Sequence, residues 1–251
     1  MVLFAFNAQA ASDGELTLKK NNPSEIKDCF ENLNRATFAF NQAIDGVLFK
    51  PVASAYKILP QPIRSGVSNS LDNLSNIVTI PNNIIQGDIE KAGINIGRFL
   101  LNSTFGLLGI IDVATHMGLP EYEKEDYGQS LAKLGVRPGC YVVLPVIGPS
   151  TVRDASASLI NVVGGDAWYN VTVKNDTQHF SEIDYYSSKL TSGIDFRAKN
   201  FNSIENLEKN SLDFYASVKS LYLQNRQQQI LNINSIVDTL DDSDWEEIES
   251  Q

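Results

Sequence analysis

The chain has 251 residues, with 30 acidic and 20 basic side chains and a formal net charge of −10 at pH 7. A chain of this length can bury a substantial core, as one large domain or two small ones. The acidic balance argues against a nucleic-acid partner, which needs a basic face, and against attachment to anionic lipid by a polybasic patch.

The first ten residues, MVLFAFNAQA, resemble the end of a secretory signal. Val2 to Phe6 form a short apolar run, and Ala8-Gln9-Ala10 fits the small-x-small cleavage pattern, although no Lys or Arg precedes the run. We therefore predict an exported chain in which residues 1–10 are the remnant of a signal; a frayed apolar N-terminus is the alternative. Residues 11–27 are polar and Asn-rich and are predicted to form a leader arm.

The next segment predicts a helix that follows Asp28, which suits the N-cap position. The apolar stripe of this helix contains Phe30, Leu33, Thr37, Phe40 and Ile44. A second, polar stripe contains Glu31, Asn34, Arg35, Asn41 and Asp45. A row of amides and opposite charges is typical of a solvated helix face, but also of a helix that borders a wet cavity.

Prolines and glycines divide the region that follows into further helices. Pro51 suits the first turn of one helix, and Pro60 and Pro62 are predicted to end it. Two or three more helices are predicted beyond residue 66, with boundaries at Pro81 and Gly87.

The longest strongly apolar run, Phe99 to Ile111, carries no charged side chain. A helix of this length rises about 20 Å, against about 30 Å for the hydrocarbon core of a bilayer, so a straight single span is disfavoured. Glycine in a helix interior costs about 1 kcal/mol relative to alanine, so the glycines at 93, 97, 106 and 109 indicate close packing or a bend. We predict a bent helix, buried or facing a bilayer, that leads to Asp112 and a locally hydrogen-bonded His116.

Residues 121–150 are irregular and rich in glycine and proline, with a β-like run only at Tyr141 to Leu144. A long irregular segment with this much apolar content is expected to have a function. A helix capped by Ser150 or Thr151 follows, and residues 182–232 are predicted to be helical with a break near Ser192-Gly193. The end of the chain, residues 233–251, is acidic and is predicted to be a disordered tail.

The two cysteines, Cys29 and Cys140, lie 111 positions apart and form no CxxC or metal-like spacing. In an oxidising compartment they could pair, but the sequence does not show whether their Cα atoms come close enough. The interpretation favoured from sequence is two free, partly buried thiols.

Catalytic patterns are absent from the sequence. The two histidines, His116 and His179, belong to no HExxH or similar metal spacing, and no GxSxG, GxGxxG or GxxxxGK[ST] pattern occurs. We therefore predict no catalytic residue, no metal and no cofactor, and a protein that is not an enzyme.

Several blocks nevertheless resemble one family, the MlaA (VacJ) outer-membrane lipid-asymmetry proteins. DCFENLNRATFAFNQAID resembles the family's opening signature, and PNNIIQGDIEKAGINIGRFLLNSTFGLLGIIDVA resembles its central block. YGQSLAKLGVRPGCYVVLPVIGPSTVRD is similar to its Gly/Pro block, and IDFRA and YLQNR keep family-like spacing. The resemblance covers about residues 28–230 in order, so residues 28–232 are interpreted as one domain.

The resemblance implies a mainly α fold: a single ring-shaped helical domain lying in one membrane leaflet, with an irregular Gly/Pro-rich hairpin segment. It further implies a location in the outer membrane, on its periplasmic side, often beside trimeric porins. A polar channel would let phospholipids misplaced in the outer leaflet pass to a periplasmic lipid carrier protein of the same pathway. The family's usual lipobox cysteine is not seen before Cys29, so we expect either that the chain is held by its own apolar belt or that an anchor precedes residue 1.

Joined to the residue patterns, the resemblance assigns three groups of site residues. The channel-lining group is Asn34, Arg35, Asn41 and Asp45. The membrane-belt group is Phe99, Leu100, Leu107, Leu108, Ile110 and Ile111. The gate-loop group is Gly135, Gly139, Tyr141, Pro145 and Gly148. A soluble periplasmic lipid-binding carrier is the main alternative, and an enzyme acting on lipid is a further one.

Overall fold

The computed structural model describes residues 26–160, 166–170, 173 and 181–231, so the predicted signal remnant, most of the leader arm and the acidic tail lie outside the described residues. The first helices are α1 (Glu31–Ile44), a π-helical turn (Asp45–Phe49), α2 (Lys50–Lys57), α3 (Gln61–Ile85), α4 (Ile89–Thr104), α5 (Val113–His116) and α6 (Tyr127–Lys133). Then come β1 (Tyr141–Leu144), β2 (Gly148–Thr151), α7 (Val152–Ile160), α8 (Ala167–Tyr169), α9 (Glu182–Lys199), α10 (Phe201–Asn210) and α11 (Phe214–Leu231). The prediction of a mainly α fold is confirmed.

The first helix begins at Glu31, and Phe30 occupies its N-cap position without a side-chain bond. The predicted N-cap role of Asp28 is wrong. Its carboxylate instead accepts hydrogen bonds from Asn34 Nδ2 at 2.6 Å, from Lys219 Nζ at 3.2 Å and from the hydroxyl of Tyr215. Asp28 therefore ties the start of α1 to α11, because its partners are side chains rather than the first N–H groups of the helix.

Part of the apolar stripe of α1 faces outward, and the polar stripe is divided between the interior and the surface. Phe30, Leu33 and Phe40 are 54%, 66% and 52% exposed, whereas Asn34 is only 3% exposed. An amphipathic helix on a water-soluble domain buries its apolar stripe. The outward apolar stripe therefore indicates that this side of α1 has a non-aqueous neighbour.

α3 runs for 25 residues straight through Pro81, so the predicted boundary at that proline is wrong. A proline inside a helix leaves a carbonyl on the preceding turn without its N–H donor. Beside this break, the Asn82 side chain donates from Nδ2 to the carbonyl of Val78 at 2.8 Å, which supports the backbone there. The boundary at Gly87 is confirmed, since that residue has a φ of 79° between α3 and α4.

α3 and α4 pack against each other through buried amides rather than through an apolar seam. Asn95 Nδ2 donates to Asn83 Oδ1 at 2.9 Å, and Asn73 Nδ2 donates to Ser103 Oγ at 2.9 Å. Asn73, Asn83 and Asn95 are all at most 5% exposed. Buried amides are stable when they are hydrogen-bonded, so this pair of helices is joined by a polar network.

The apolar run is not one bent helix. α4 ends at Thr104, and the chain then makes a compact turn in which Leu107, Leu108 and Gly109 have φ values of 51°, 60° and 93°. Left-handed backbone is unfavourable for residues with a Cβ, so a helix cannot continue through two such leucines. The run is thus a helix end followed by an exposed apolar turn, which we call the apolar turn (residues 105–111).

Buried polar groups of α4 hold the residue that follows this apolar turn in place. Arg98 is 2% exposed and donates from Nη2 to Asp112 Oδ2 at 2.7 Å, while Asn102 Nδ2 donates to Asp112 Oδ1 at 2.9 Å. Asp112 also caps α5 by accepting from the N–H of Thr115. Nδ1 of His116 lies 2.6 Å from the carbonyl oxygen of Asp112, so the predicted local hydrogen bond is confirmed.

The Gly/Pro segment is more ordered than predicted. It contains α6, which the sequence analysis missed, and a hairpin in which β1 pairs antiparallel with β2 from Tyr141 with Thr151 to Leu144 with Gly148. The strand at Tyr141 to Leu144 is confirmed. Of the two proposed caps for α7, Thr151 serves, because its hydroxyl accepts from the N–H of Asp154 at 3.2 Å.

The C-terminal helices break at places other than the predicted one. α9 passes through Ser192-Gly193 without interruption, and the chain turns instead at Asn200 and again at residues 211–213. Ser181 and Asp184 form a capping box at the start of α9. The predicted break is wrong because a single glycine costs only about 1 kcal/mol in a helix interior, which neighbouring contacts can offset.

The described part of the chain buries more polar and charged residues than apolar ones, while many large apolar side chains are exposed. A small apolar core does exist around Tyr141, Val143, Tyr215 and Leu223. Exposed apolar area of this extent normally marks a surface covered by another molecule or by lipid. Among the helices of the described residues, none combines the length and apolarity that crossing a bilayer requires.

A disulfide joins Cys29 to Cys140, with the two Cα atoms 5.7 Å apart, so the interpretation as free thiols is wrong. The fold brings the cysteines together by laying β1 beside the start of α1. The N–H of Tyr141 donates to the carbonyl of Lys27 at 2.9 Å, and that of Val143 donates to Asn34 Oδ1 at 2.9 Å. A Cα separation of this size is typical of disulfides, but only the tertiary contact provides it.

Candidate functional site

A cavity of about 820 Å³ is surrounded by residues that run from Phe38 in α1 to Gln229 in α11. α3 and α9 also contribute to its wall, together with α6, α7, α10 and the turn of the hairpin. Elements from both ends of the described chain therefore contribute to one cavity. The volume lies in the range of natural small-molecule sites.

The wall of this cavity is mixed in polarity, with more apolar than polar surface. Its apolar side chains include Phe38, Ile44, Phe49, Leu71, Leu74, Val78, Val146, Ile147, Phe196, Ile204, Leu207, Phe214, Val218 and Leu221. The buried amides of α3 and α4 do not line it, because they face each other between the helices. The mixed wall therefore fits an amphipathic molecule better than the wall of a uniformly polar channel would.

One charged cluster of the wall is centred on Arg226 of α11. Its guanidinium donates to both oxygens of Asp126 at 2.7 Å and to both oxygens of Asp154 at 2.9 and 3.0 Å. Burial alone would raise the pKa of Asp154, but hydrogen bonds from Arg226 and Arg153 outweigh it and lower that pKa to about 2. Both carboxylates are thus ionised at neutral pH, and the cluster joins α6, α7 and α11.

Glycine is required next to this cluster. A Cβ at Gly128 would lie 2.4 Å from Arg226 Nη2 and 2.4 Å from Asp154 Oδ1. The hydroxyl of Tyr222 completes the cluster by donating to Asp154 Oδ2 at 2.9 Å. The cluster is therefore closely packed as well as fully paired.

A second charged cluster joins the π-helical turn to α9 and α10. Arg197 donates to both oxygens of Asp45 at 2.8 and 3.0 Å and to Glu205 Oε1 at 2.8 Å. Lys50 donates to the other oxygen of Glu205 at 2.6 Å. In this cluster, each charged group is paired with a group of opposite charge.

The four predicted channel residues separate into two pairs. Asn41 and Asp45 line the cavity. Asn34 is instead buried against the hairpin, where it donates to the carbonyl of Tyr141 and accepts from the N–H of Val143. Arg35 is on the surface, paired with Glu31 at 2.8 Å and with Asp213 at 2.7 Å.

The predicted gate residues are likewise divided between the cavity and its surroundings. Gly148 lines the cavity and has a φ of 97°, and Pro145 lies in the hairpin turn that leads to it. Tyr141 is fully buried in the small core, and Gly135 and Gly139 are turn residues with φ values of 87° and 71°. The part of the segment that faces the cavity is the stretch 146–150, which Asn41 fixes by accepting from the N–H of Val146 at 2.7 Å and donating to the carbonyl of Leu144 at 2.9 Å.

The predicted belt residues are mostly on the surface. Leu107 and Leu108 are 64% and 77% exposed, and Leu100, Ile110 and Ile111 are each about half exposed. Phe99 is half-buried. Together they form an apolar outer surface at one end of α4.

Sequence reasoning assigned no role to several residues of the wall. Asp154, Arg197 and Arg226 fall within TVRD, IDFRA and YLQNR, the blocks that resemble the family, so the sequence marked these residues without indicating their role. Lys124 and Asp126 had no such signal, because no local pattern shows that the segment before α6 faces a cavity. Among the described residues, no group of His, Cys, Asp or Glu is arranged to hold a metal ion.

Comparison with known proteins agrees with this architecture. Residues 26–229 match the sequence profile of the MlaA lipoprotein family. The chain belongs to this family. The Escherichia coli protein named "Intermembrane phospholipid transport system lipoprotein MlaA" is 32% identical over 236 residues, covering 87% of this chain and 88% of that protein. The Haemophilus influenzae protein of the same name is 31% identical over 219 residues, covering 82% of this chain and 80% of that protein.

Other relatives match a similar share of the chain. An uncharacterised protein of Rickettsia felis is 32% identical over 213 residues, covering 84% of this chain and 81% of that protein. A solved structure described as "Structural basis for maintenance of bacterial outer membrane lipid asymmetry" superposes with a TM-score of 0.68 at 31% identity. The match covers 81% of this chain and 99% of that chain, so this MlaA family member shares the whole fold of the solved protein.

Proposed function

We propose that this protein transports phospholipid: it removes mislocalised phospholipids from the outer leaflet of the outer membrane through its cavity and passes them to a periplasmic lipid carrier. The family and the names of the Escherichia coli and Haemophilus influenzae relatives support phospholipid as the cargo. The observation that carries the proposal is the mixed wall of the 820 Å³ cavity, which offers apolar surface for acyl chains and charged groups for a headgroup.

The apolar exterior supports a place in the inner leaflet of the outer membrane. The apolar turn and the outward stripe of α1 present exposed leucine, isoleucine and phenylalanine side chains. Burying apolar surface in lipid is favourable by about 25 cal/mol per Å². In this proposal Phe99, Leu100, Leu107, Leu108, Ile110 and Ile111 contribute to the membrane belt, and trimeric porins are neighbours in the same membrane.

The hairpin turn is the proposed gate. Val146 and Ile147 are 56% and 68% exposed, line the cavity and belong to a turn that is held by the side chain of Asn41. Loops that project from a rigid scaffold often control access to a site. A movement of this turn would change the width of the opening while β1 stays fixed by the disulfide.

Filling the cavity tests the proposal. Ser192 of α9 lines the cavity, whereas Ser187 of the same helix is exposed and does not. In cells that depend on this protein, Ser192→Trp should raise the amount of phospholipid at the cell surface, measured by its cleavage with added phospholipase. Ser187→Trp is the matched control and should leave it unchanged. An unaltered surface level with Ser192→Trp, in protein present at normal amounts, would contradict transport through the cavity.

The alternative function is a soluble periplasmic lipid carrier, which the cavity by itself would also allow. Fractionation separates the two. A leaflet-embedded protein requires detergent for extraction, because its apolar exterior is covered by lipid, whereas a carrier stays in the soluble periplasmic extract.

A further inference from the structure

Among the described residues, one cationic side chain of the cavity wall differs from the others. Lys124 lies just before α6, lines the cavity and is exposed to the space inside it. Within the described residues, its ammonium group forms no ion pair and donates no hydrogen bond to a side chain or carbonyl. The other cationic residues of the wall each have carboxylate partners: Arg197 with Asp45, Arg226 with Asp126, and Lys189 with Asp166 at 3.2 Å.

The carboxylates of the wall accept hydrogen bonds from donors other than Lys124. Asp126 and Asp154 are held by Arg226, and Asp166 accepts from the hydroxyl of Tyr185 at 2.7 Å. Glu125 accepts from Gln86 Nε2 at 2.8 Å. The nearby carboxylate of Asp72 lines a separate, smaller polar pocket between α3 and α4. The ammonium group of Lys124 is thus left facing the cavity.

The surroundings of Lys124 disfavour an isolated positive charge. Burial lowers the pKa of Lys124 most and the positive charge of Lys189 lowers it next, and together they outweigh the opposing effects of Asp72 and Asp126. An anion placed between these two ammonium groups would relieve both effects. The same wall also offers the apolar side chains of Leu71, Leu74 and Val78 on α3.

We propose that Lys124, together with Lys189 of the same wall, forms a subsite for the phosphodiester of a phospholipid headgroup, while the acyl chains lie on the apolar part of the wall. This inference rests on the proposed function and adds the group that recognises the cargo. An ammonium group bonds to phosphate as a point charge. The subsite therefore favours headgroups with net negative charge, such as phosphatidylglycerol, over a neutral diacylglycerol.

Lipid binding by the full chain in detergent tests the subsite, with phosphatidylglycerol and diacylglycerol as probes and native mass spectrometry as the readout. Lys124→Gln should weaken phosphatidylglycerol binding about tenfold, the usual scale for one charged hydrogen bond, and leave diacylglycerol binding unchanged. Lys124→Arg should keep most of the affinity. Lys209→Gln, at an exposed lysine of α10 outside the cavity wall, makes the same charge change and should have no effect.

Each other result overturns the subsite. Equal phosphatidylglycerol binding by wild type and Lys124→Gln would refute it and leave the proposed function intact. The subsite is equally refuted if inorganic phosphate at millimolar concentration displaces the lipid from Lys124, which would make this a site for free anions. If the wild-type protein binds neither phosphatidylglycerol nor phosphatidylethanolamine, the subsite and the proposed function fail together.

Discussion

Glycines in the apolar turn occupy positions where a larger side chain does not fit. A Cβ at Gly106 would lie 2.2 Å from the carbonyl oxygen of Ile111 and 2.6 Å from that of Asn102. Both are backbone atoms, so the clash cannot be relieved by a rotamer change. Gly93, in the middle of α4, has open space around the same position. The sequence identified both glycines as unusual, but only the packing distinguishes the required one from the tolerated one.

We expect Gly106→Ala to lower the free energy of unfolding by about 2–4 kcal/mol, because backbone must move to admit the methyl group. Gly93→Ala should raise it by up to about 1 kcal/mol, since alanine is the better helix former and meets no neighbour. Urea unfolding followed by circular dichroism measures both values. A Gly106→Ala protein as stable as wild type would show that the turn is not packed as described.

Among the elements, α11 is attached to the rest of the fold by charge as well as by the small apolar core. Arg226 connects it to Asp126 of α6 and Asp154 of α7, and all of these contacts are 3.0 Å or shorter. Removing one partner of a buried ion pair leaves the other charge buried and unopposed. The energetic cost is therefore much larger than for an exposed pair such as Lys91 with Glu123, whose side chains are 30% and 38% exposed.

We expect Arg226→Gln to destabilise the protein by about 3–5 kcal/mol at pH 7, and Lys91→Gln by no more than about 1 kcal/mol. The pKa of Asp154 is depressed from 3.8 to about 2 in the folded state, so its stabilising effect is complete above about pH 4 and is lost as the pH falls through 2. The difference in unfolding temperature between wild type and Arg226→Gln should therefore become smaller as the pH falls from 5 to 2. A difference that is constant over this range would contradict the ionic contact with Asp154.

The hairpin is attached to α1 covalently as well as by hydrogen bonds. Because the Cys29–Cys140 bond closes a loop of 111 residues, Cys29→Ser should lower the free energy of unfolding by about 2–5 kcal/mol. A reductant should produce the same loss in the wild-type protein and no change in a Cys29→Ser/Cys140→Ser control. Peptide mapping without reduction should recover the two cysteines in one cross-linked fragment. Recovery of two free thiols from the native protein would rule the bond out.

At the scale of the whole molecule, an unusually large share of the buried residues is polar or charged, and many large apolar residues are exposed. Ion pairs and amides join the helices inside, while leucine, isoleucine and phenylalanine side chains of α1 and the apolar turn are outside. Many of the buried polar groups are paired with one another, as Asn83 is with Asn95 and Arg226 is with Asp154. The exposed apolar surface is stable only when another apolar phase covers it, which is the physical basis of the proposed leaflet location.

A polarity-sensitive fluorophore at residue 107 tests that location directly. In outer-membrane vesicles, emission from the fluorophore on Leu107→Cys should be shifted to the blue, because acyl chains surround it. The same fluorophore on Lys209→Cys, at an exposed polar position of α10, provides the comparison and should report water. An aqueous spectrum at position 107 would remove the apolar turn from the membrane belt.

The sequence by itself determined the mainly helical class, the strand at Tyr141 to Leu144, the helix boundary at Gly87 and the family, because these depend on local periodicity, turn chemistry and ordered motifs. It did not determine which stripe of α1 faces inward, since a 3.6-residue period defines two faces but not their surroundings. Only the tertiary structure brought Cys29 to Cys140, carried α3 through Pro81 and placed Lys124 in the cavity. Each of those outcomes depends on contacts between residues distant in sequence, and such contacts leave no signal in either segment alone.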